Sequence, residues 1–288
     1  MRYDIVEQQS RAFFFESALA GFASEEQLFY KLQSGLYAYV PKGSSAEGRA
    51  LQARNSLIGN FTEAWCKKLM EPIAKKHGLF AVNGAVCEEI GLTKQSPADL
   101  VLSTKNTVQQ RAKDIKIIFE IKMSIVSNYS YSKGKVRLIG DYKTHKGIPS
   151  LLRSDSMLKA IGKSVDIRVC GEKSATIPIV ILGNTPITPS YEEKVDQLKR
   201  SGVIQSFVSL NPMPTDGDFI KQTADKGFVT PMTCSELEKL LSGFLNLDLY
   251  YFSAMKSKAK LGKIISIAAK ESTEIGKAEK FLRLIKRP

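Results

Sequence analysis

The chain has 288 residues, 42 of them Lys or Arg and 29 Asp or Glu, for a formal charge of +13, with 43% hydrophobic residues. That balance excludes wholesale disorder, fits one large domain or a core with an appendage, and points to a polyanionic partner. No apolar run reaches the roughly 18–20 residues that cross a bilayer. Glu7, Arg11 and Glu16 also break the N-terminal apolar stretch where a secretory signal would need continuity. A cytoplasmic location is expected.

In chain order, residues 1–40 read as helices, with Ser24 and Gln27 at capping-box spacing ahead of Leu28, Phe29 and Leu32. Pro41 to Ser45 reads as a loop. A long helix is expected from Ala46 to His77, because Phe61, Trp65, Leu69 and Ile73 recur about every four residues and Gly78 is a natural stop. The period then changes. Leu79–Val86, Ala98–Leu102 and Ile115–Met123 read as strands. In the last, Ile117, Phe119 and Ile121 face one way and Ile118, Glu120 and Lys122 the other. Ser127–Lys135 reads as a loop, Val136–Ile139 as a short strand and Ile148 to about Val165 as a helix. Ile177–Leu182 is apolar on both faces, as a central strand is. Ser190 and Glu193 have the spacing to cap a helix closed by Gly202. Val203–Leu210 follows as a strand, Thr233 and Glu236 open another helix, and the tail from Ala254 is helical and basic. This order predicts an α/β fold with a mixed sheet flanked by helices.

The charge is concentrated. Residues 133–163 carry eight basic and two acidic residues, and residues 254–288 carry ten and three, so these stretches hold the whole excess. Nucleic acid is the partner this favours; a basic amphipathic tail on a membrane surface is the alternative. Cys66, Cys87, Cys170 and Cys234 are scattered and read as reduced, mostly buried thiols. With only His77 and His145, a multi-histidine metal site is excluded, and no phosphate loop or dinucleotide fingerprint is present.

An acid two residues before a lysine occurs four times: Asp114/Lys116, Glu120/Lys122, Asp141/Lys143 and Glu192/Lys194. Context selects the second, because two charges on one face of an otherwise apolar strand are expensive unless they serve a site. Asp141/Lys143 is the reserve. Asp99 lies on the preceding strand, and a short antiparallel pairing would bring it beside Glu120. Two carboxylates, a backbone carbonyl and waters make a hard oxygen site suited to Mg²⁺, with Lys122 placed to orient water or stabilise developing charge.

These residues resemble the PD-(D/E)xK nuclease superfamily over roughly residues 55–210, with Ala98 intervening between Pro97 and Asp99 where the family's proline usually adjoins its acid. The resemblance implies a restriction-endonuclease-like fold. It implies Asp99, Glu120 and the Ile121 carbonyl as Mg²⁺ ligands, Lys122 as the active-site lysine, and Glu63 as the acid many members carry on the helix before the core. It divides the chain into a helical segment (1–45), a nuclease core (46–215) and a basic helical segment packed on it (216–288). The size looks most like a Type II restriction endonuclease. The implied partners are double-stranded DNA and a second copy of the chain in a homodimer, alongside a cognate methyltransferase that it does not contact. Lys133, Lys135, Arg137, Lys143, Lys146 and Arg153 are the expected DNA-binding residues. A structure-selective or repair nuclease and a non-catalytic DNA-binding protein are the alternatives.

Overall fold

A computed structural model describes residues 9–45, 52–210, 220–247 and 256–285. Its centre is the strand whose side chains alternate most clearly. In chain order the strands are β1 (Tyr30–Leu32), β2 (Gly35–Tyr37), β3 (Phe80–Ala85), β4 (Ala98–Ser103), β5 (Ile115–Lys122), β6 (Asn128–Ser132), β7 (Lys135–Gly140), β8 (Ile179–Gly183), β9 (Ser206–Ser209) and β10 (Phe228–Val229). The helices are α1 (Gln9–Gly21), α2 (Glu25–Leu28), α3 (Gln52–Lys76), α4 (Ser154–Val169), α5 (Pro189–Arg200), α6 (Cys234–Leu245), α7 (Lys258–Ala268) and α8 (Glu274–Ile285). None of these helices is long and apolar enough to cross a membrane.

The main sheet is mixed, in the order β10-β9-β8-β5-β4-β3. β3, β4 and β5 are antiparallel neighbours, whereas β5, β8, β9 and β10 run parallel. The parallel strands therefore end together at one edge, where such sheets commonly bind ligands. Helices cover both faces. Ile117, Phe119 and Ile121 pack with Cys66, Met70 and Ile73 of α3 and Leu237 and Leu241 of α6. On the opposite face Val101 and Ile118 pack with Met157, Ala160 and Ile167 of α4 and Tyr191 and Val195 of α5. The alternation read from Ile115 to Lys122 is thus the partition between the two cores.

The structure differs from the sequence reading in four places, one being the helix expected from Ile148, which starts only at Ser154 after a 3₁₀ turn at Ser150–Leu152 and runs to Val169. Residues 30–37 are a β-hairpin, not helix, and Asn128–Ser132 is a strand, not a loop; together with β7 they form a second, antiparallel sheet in the order β1-β2-β6-β7. Its strands are only three to six residues long. They gain their hold from an aromatic core of Phe14, Phe15, Phe29 and Tyr129, a contact set that no local period reveals. The helix α5 starts one residue before Ser190, with Pro189 in its first turn and Thr188 at the cap, so the Ser190/Glu193 spacing caps nothing. By contrast, Thr233 accepts the Glu236 N–H at 3.2 Å, and Ser24 N–H donates to Gln27 Oε1 at 2.8 Å. Gly78 ends α3 with φ +67°. Of the expected helices, residues 1–8, the turns from Ala46 to Leu51, and the tail residues 254–255 and 286–288 lie outside the described residues.

Candidate active site

β4 and β5 pair through Leu100 with Phe119, and the same register continued by one residue sets Asp99 opposite Glu120 on the α4 face. The ladder stops there, so the edge of Ile121 that faces β4 has no strand partner. Asp99 fills that role: its Oδ2 accepts the Ile121 N–H at 2.6 Å. The carbonyl of Ile121 lies on the same side of the strand and accepts from Lys122 Nζ at 3.3 Å. Lys122 Nζ also pairs with Glu120 Oε1 at 2.5 Å and approaches Asp99 Oδ2 at 3.8 Å.

A second lysine completes the cluster. Lys163, on α4, reaches Glu120 Oε2 at 2.6 Å and Asp99 Oδ1 at 3.2 Å. Sequence reasoning counted Lys163 only as the last of the eight basic residues in the stretch 133–163. The available signal was its place beside the inward stripe of Met157, Ala160, Ser164 and Ile167 on α4. Two acids and two lysines therefore balance within one knot, whose Glu120 side chain is only 8% exposed.

The electrostatics follow from that packing. Burial, and next the charge on Asp99, hold the Glu120 carboxyl above its ordinary pKa against the pull of Lys122 and Lys163. For Lys163 burial opposes the charge, yet Asp99 and Glu120 outweigh it and raise the pKa. Glu63 comes from α3. Its carboxyl is raised first by burial and then by Asp99, with Lys163 and Lys122 pulling the other way, so it senses the cluster. Among the described residues it makes no hydrogen bond to the cluster, and no group of three or more His, Cys, Asp or Glu is placed to hold a metal ion.

The donor set that remains is Asp99, Glu120 and the Ile121 carbonyl. These are hard oxygens gathered at one strand end, and their chemistry fits a cation that keeps several waters, as Mg²⁺ does. They do not fit Zn²⁺, because no imidazole or thiolate joins them.

The strand end is pinned from behind. Ser150, held at φ +49°, donates its hydroxyl to the Lys122 carbonyl at 2.6 Å and accepts the Asn184 N–H at 3.0 Å. Asn184 clamps Ser124 through both its amide atoms, at 3.1 and 2.7 Å. A non-glycine residue at positive φ is costly and persists where its surroundings over-determine it. Here they do, because Thr185 Oγ1 accepts the next two backbone N–H groups, those of Leu151 and Leu152. Neither Ser150 nor Asn184 carries a motif in the sequence.

The other expected residues separate. Lys133 and Lys135 sit at the β6–β7 turn and Arg137 on edge strand β7, all exposed. Lys143 lies in a tight turn where Asp141 Oδ1 accepts its N–H at 2.8 Å, which gives the reserve pair Asp141/Lys143 a turn-forming role. Lys146 and Arg153 line a groove of about 680 Å³ that also contains Lys122. Of the four cysteines, Cys66 and Cys87 are buried, Cys234 is half-buried and Cys170 is exposed. Compared with protein-family models, curated proteins and solved structures, the chain matches none.

Proposed function

We propose that this chain is a Mg²⁺-dependent DNA endonuclease of the PD-(D/E)xK type, acting as a Type II restriction enzyme. One observation carries the reading: Asp99 and Glu120, from adjacent strands, converge at the end of the β4–β5 ladder with Lys122 against both. Asp99, Glu120 and the Ile121 carbonyl would hold the ion, which would polarise the phosphoryl oxygen and lower the pKa of bound water. Lys122 supplies a fixed positive charge toward the oxygens of a phosphate in transfer. Lys163 offers a second such charge from α4. Glu63 adds negative potential behind Asp99. Recognition of a palindromic duplex would call for a homodimer, since a two-fold site is matched by a two-fold protein.

The balanced charges favour a second reading, a DNA-binding protein in which the four groups only pair with one another. The test is incubation with unmodified phage DNA of high complexity in Mg²⁺, with EDTA as control. Discrete bands that vanish in EDTA support the restriction enzyme; a Mg²⁺-dependent smear supports a structure-selective or nonspecific nuclease. DNA left intact under both conditions supports the binding protein. In the first two cases Lys122→Ala abolishes cutting and leaves DNA binding in place.

A further inference from the structure

The groove in front of Lys122 has a composition of its own. Its walls bring together Arg54 of α3, Lys122 of β5, Lys146 from the segment after β7, and Arg153 and Lys159 at the start of α4. The one acid among them is Asp155, which Arg153 and Lys159 already engage at 3.2 and 3.1 Å. Three exposed cations, Lys146, Arg153 and Lys159, thus line one cleft whose single carboxylate is satisfied, while behind them Lys122 is balanced by Glu120 and Asp99 and Arg54 donates to the Leu28 and Ala38 carbonyls. The 16-residue α4 also starts here, with no side chain capping its first turn, so its free N–H groups add to the positive end.

Two further features mark the groove as built for a ligand. Arg54 is 3% exposed, yet its Nε has no hydrogen-bond partner, and Ser124 Oγ, also in the lining, is likewise buried and unpaired. Buried polar atoms are nearly always satisfied, and those that are not commonly await a water, an ion or a ligand. The wall behind is rigid. Tyr39 stacks on His145 at 4.2 Å, its hydroxyl donates to the Ile125 carbonyl at 2.7 Å, and the Arg54 guanidinium lies 4.9 Å from its ring centre.

We infer that this groove is the track for one DNA strand leading away from the scissile phosphate. Lys146, Arg153 and Lys159 would contact successive phosphates, and Arg54 would set the potential at the floor. The inference rests on the nuclease reading for its substrate and deepens it by choosing between two basic surfaces. A cleft of about 680 Å³ takes in a short piece of one strand's backbone. Tyr39 already stacks on His145 with the Arg54 guanidinium against its ring, so the groove's cations offer phosphate contact as its main chemistry. The exposed hairpin cations Lys133, Lys135 and Arg137 lie outside it.

The test measures binding of a short fluorescent DNA duplex in EDTA across a range of KCl concentrations, and Mg²⁺-dependent cutting of the same duplex. The wild type is compared with K146A/R153A/K159A and K133A/K135A/R137A. All six residues are exposed, so thermal melts should be unchanged, and K146R/R153K/K159R serves as the charge-preserving control. The groove variant is expected to bind about tenfold or more weakly, with the log–log salt slope reduced by about 0.9 for each contact removed. The control should restore most of that slope, and the hairpin variant should change little.

Unchanged affinity and slope in the groove variant overturn the inference, as does a larger loss in the hairpin variant or no binding by the wild type. A wild type that cuts while the groove variant binds normally leaves the nuclease reading standing and removes the track. A wild type that binds through the groove but never cuts does the reverse.

Discussion

Lys163 holds Asp99 and Glu120 from above while Lys122 holds them from their own strand, so each carboxylate meets two ammonium groups. Removing one partner from a largely buried pair costs more than the pair contributes, because a charge is left uncompensated. Lys163→Met is expected to lower unfolding free energy by about 1–3 kcal/mol, the lower end reflecting the compensation that Lys122 still provides. The double variant Lys163→Met with Glu120→Gln should recover most of it in urea titrations, and additive losses would show that the two residues are not coupled. Glu63 gives a pH signature in the metal-free protein. Its folded pKa lies above the ordinary 4.5, so the folded state holds the proton more tightly, and stability falls as pH rises from 4.5 through the raised value. Glu63→Gln should therefore be more stable than wild type at neutral pH and lose that advantage below pH 4.5. Urea midpoints at several pH values measure this, and a pH-independent difference would show that folding does not raise the Glu63 carboxyl.

Where elements join, the site depends on close approach between β8 and the turn before α4. Gly183, the residue paired with Lys122, faces the Leu151 side chain, and a Cβ there would lie 2.3 Å from Leu151 Cγ. Leu151 follows Ser150, whose hydroxyl pins the Lys122 carbonyl. Gly183→Ala is expected to cost about 1–3 kcal/mol by overpacking, and under the proposed nuclease reading to reduce cutting by more than its stability loss explains, because the displaced turn releases Lys122. Ser150→Ala keeps the space and removes only the hydroxyl, so it should lower the cutting rate with a smaller shift in melting temperature. Equal effects of both variants on cutting and on melting would reduce this turn to a fold support.

Across the whole molecule, positive charge occupies separate regions: the groove beside Lys122, the β6–β7 hairpin, and the α7–α8 pair, whose helices bury only Ile264 and Ala268. Charges on a mostly exposed pair act through the general potential. Under the proposed nuclease reading, replacing Lys260, Lys263 and Lys270 with Gln should weaken low-salt binding to every duplex alike and leave the pattern of cut fragments unchanged. Gel shifts and digests together check this, and an altered cutting pattern would assign the pair a part in recognition.

The sequence by itself determined the α/β class, the two faces of β5, the stop at Gly78 and the Thr233 cap. Each is a matter of period or local hydrogen bonding, which neighbours in the chain decide. It also brought forward Asp99, Glu120 and Lys122, because charges on an apolar strand are conspicuous. Only the tertiary structure decided that Lys163 joins them, since nothing near α4 in the chain announces what lies across from it. The same is true of Ser150 and Asn184, which contact the strand end across 28 and 60 residues. The second sheet was illegible for a related reason: its short strands are stabilised by Phe14, Phe15 and Tyr129 meeting from distant segments. Local pattern fixes which face a residue presents; what meets that face is set by the chain's return path.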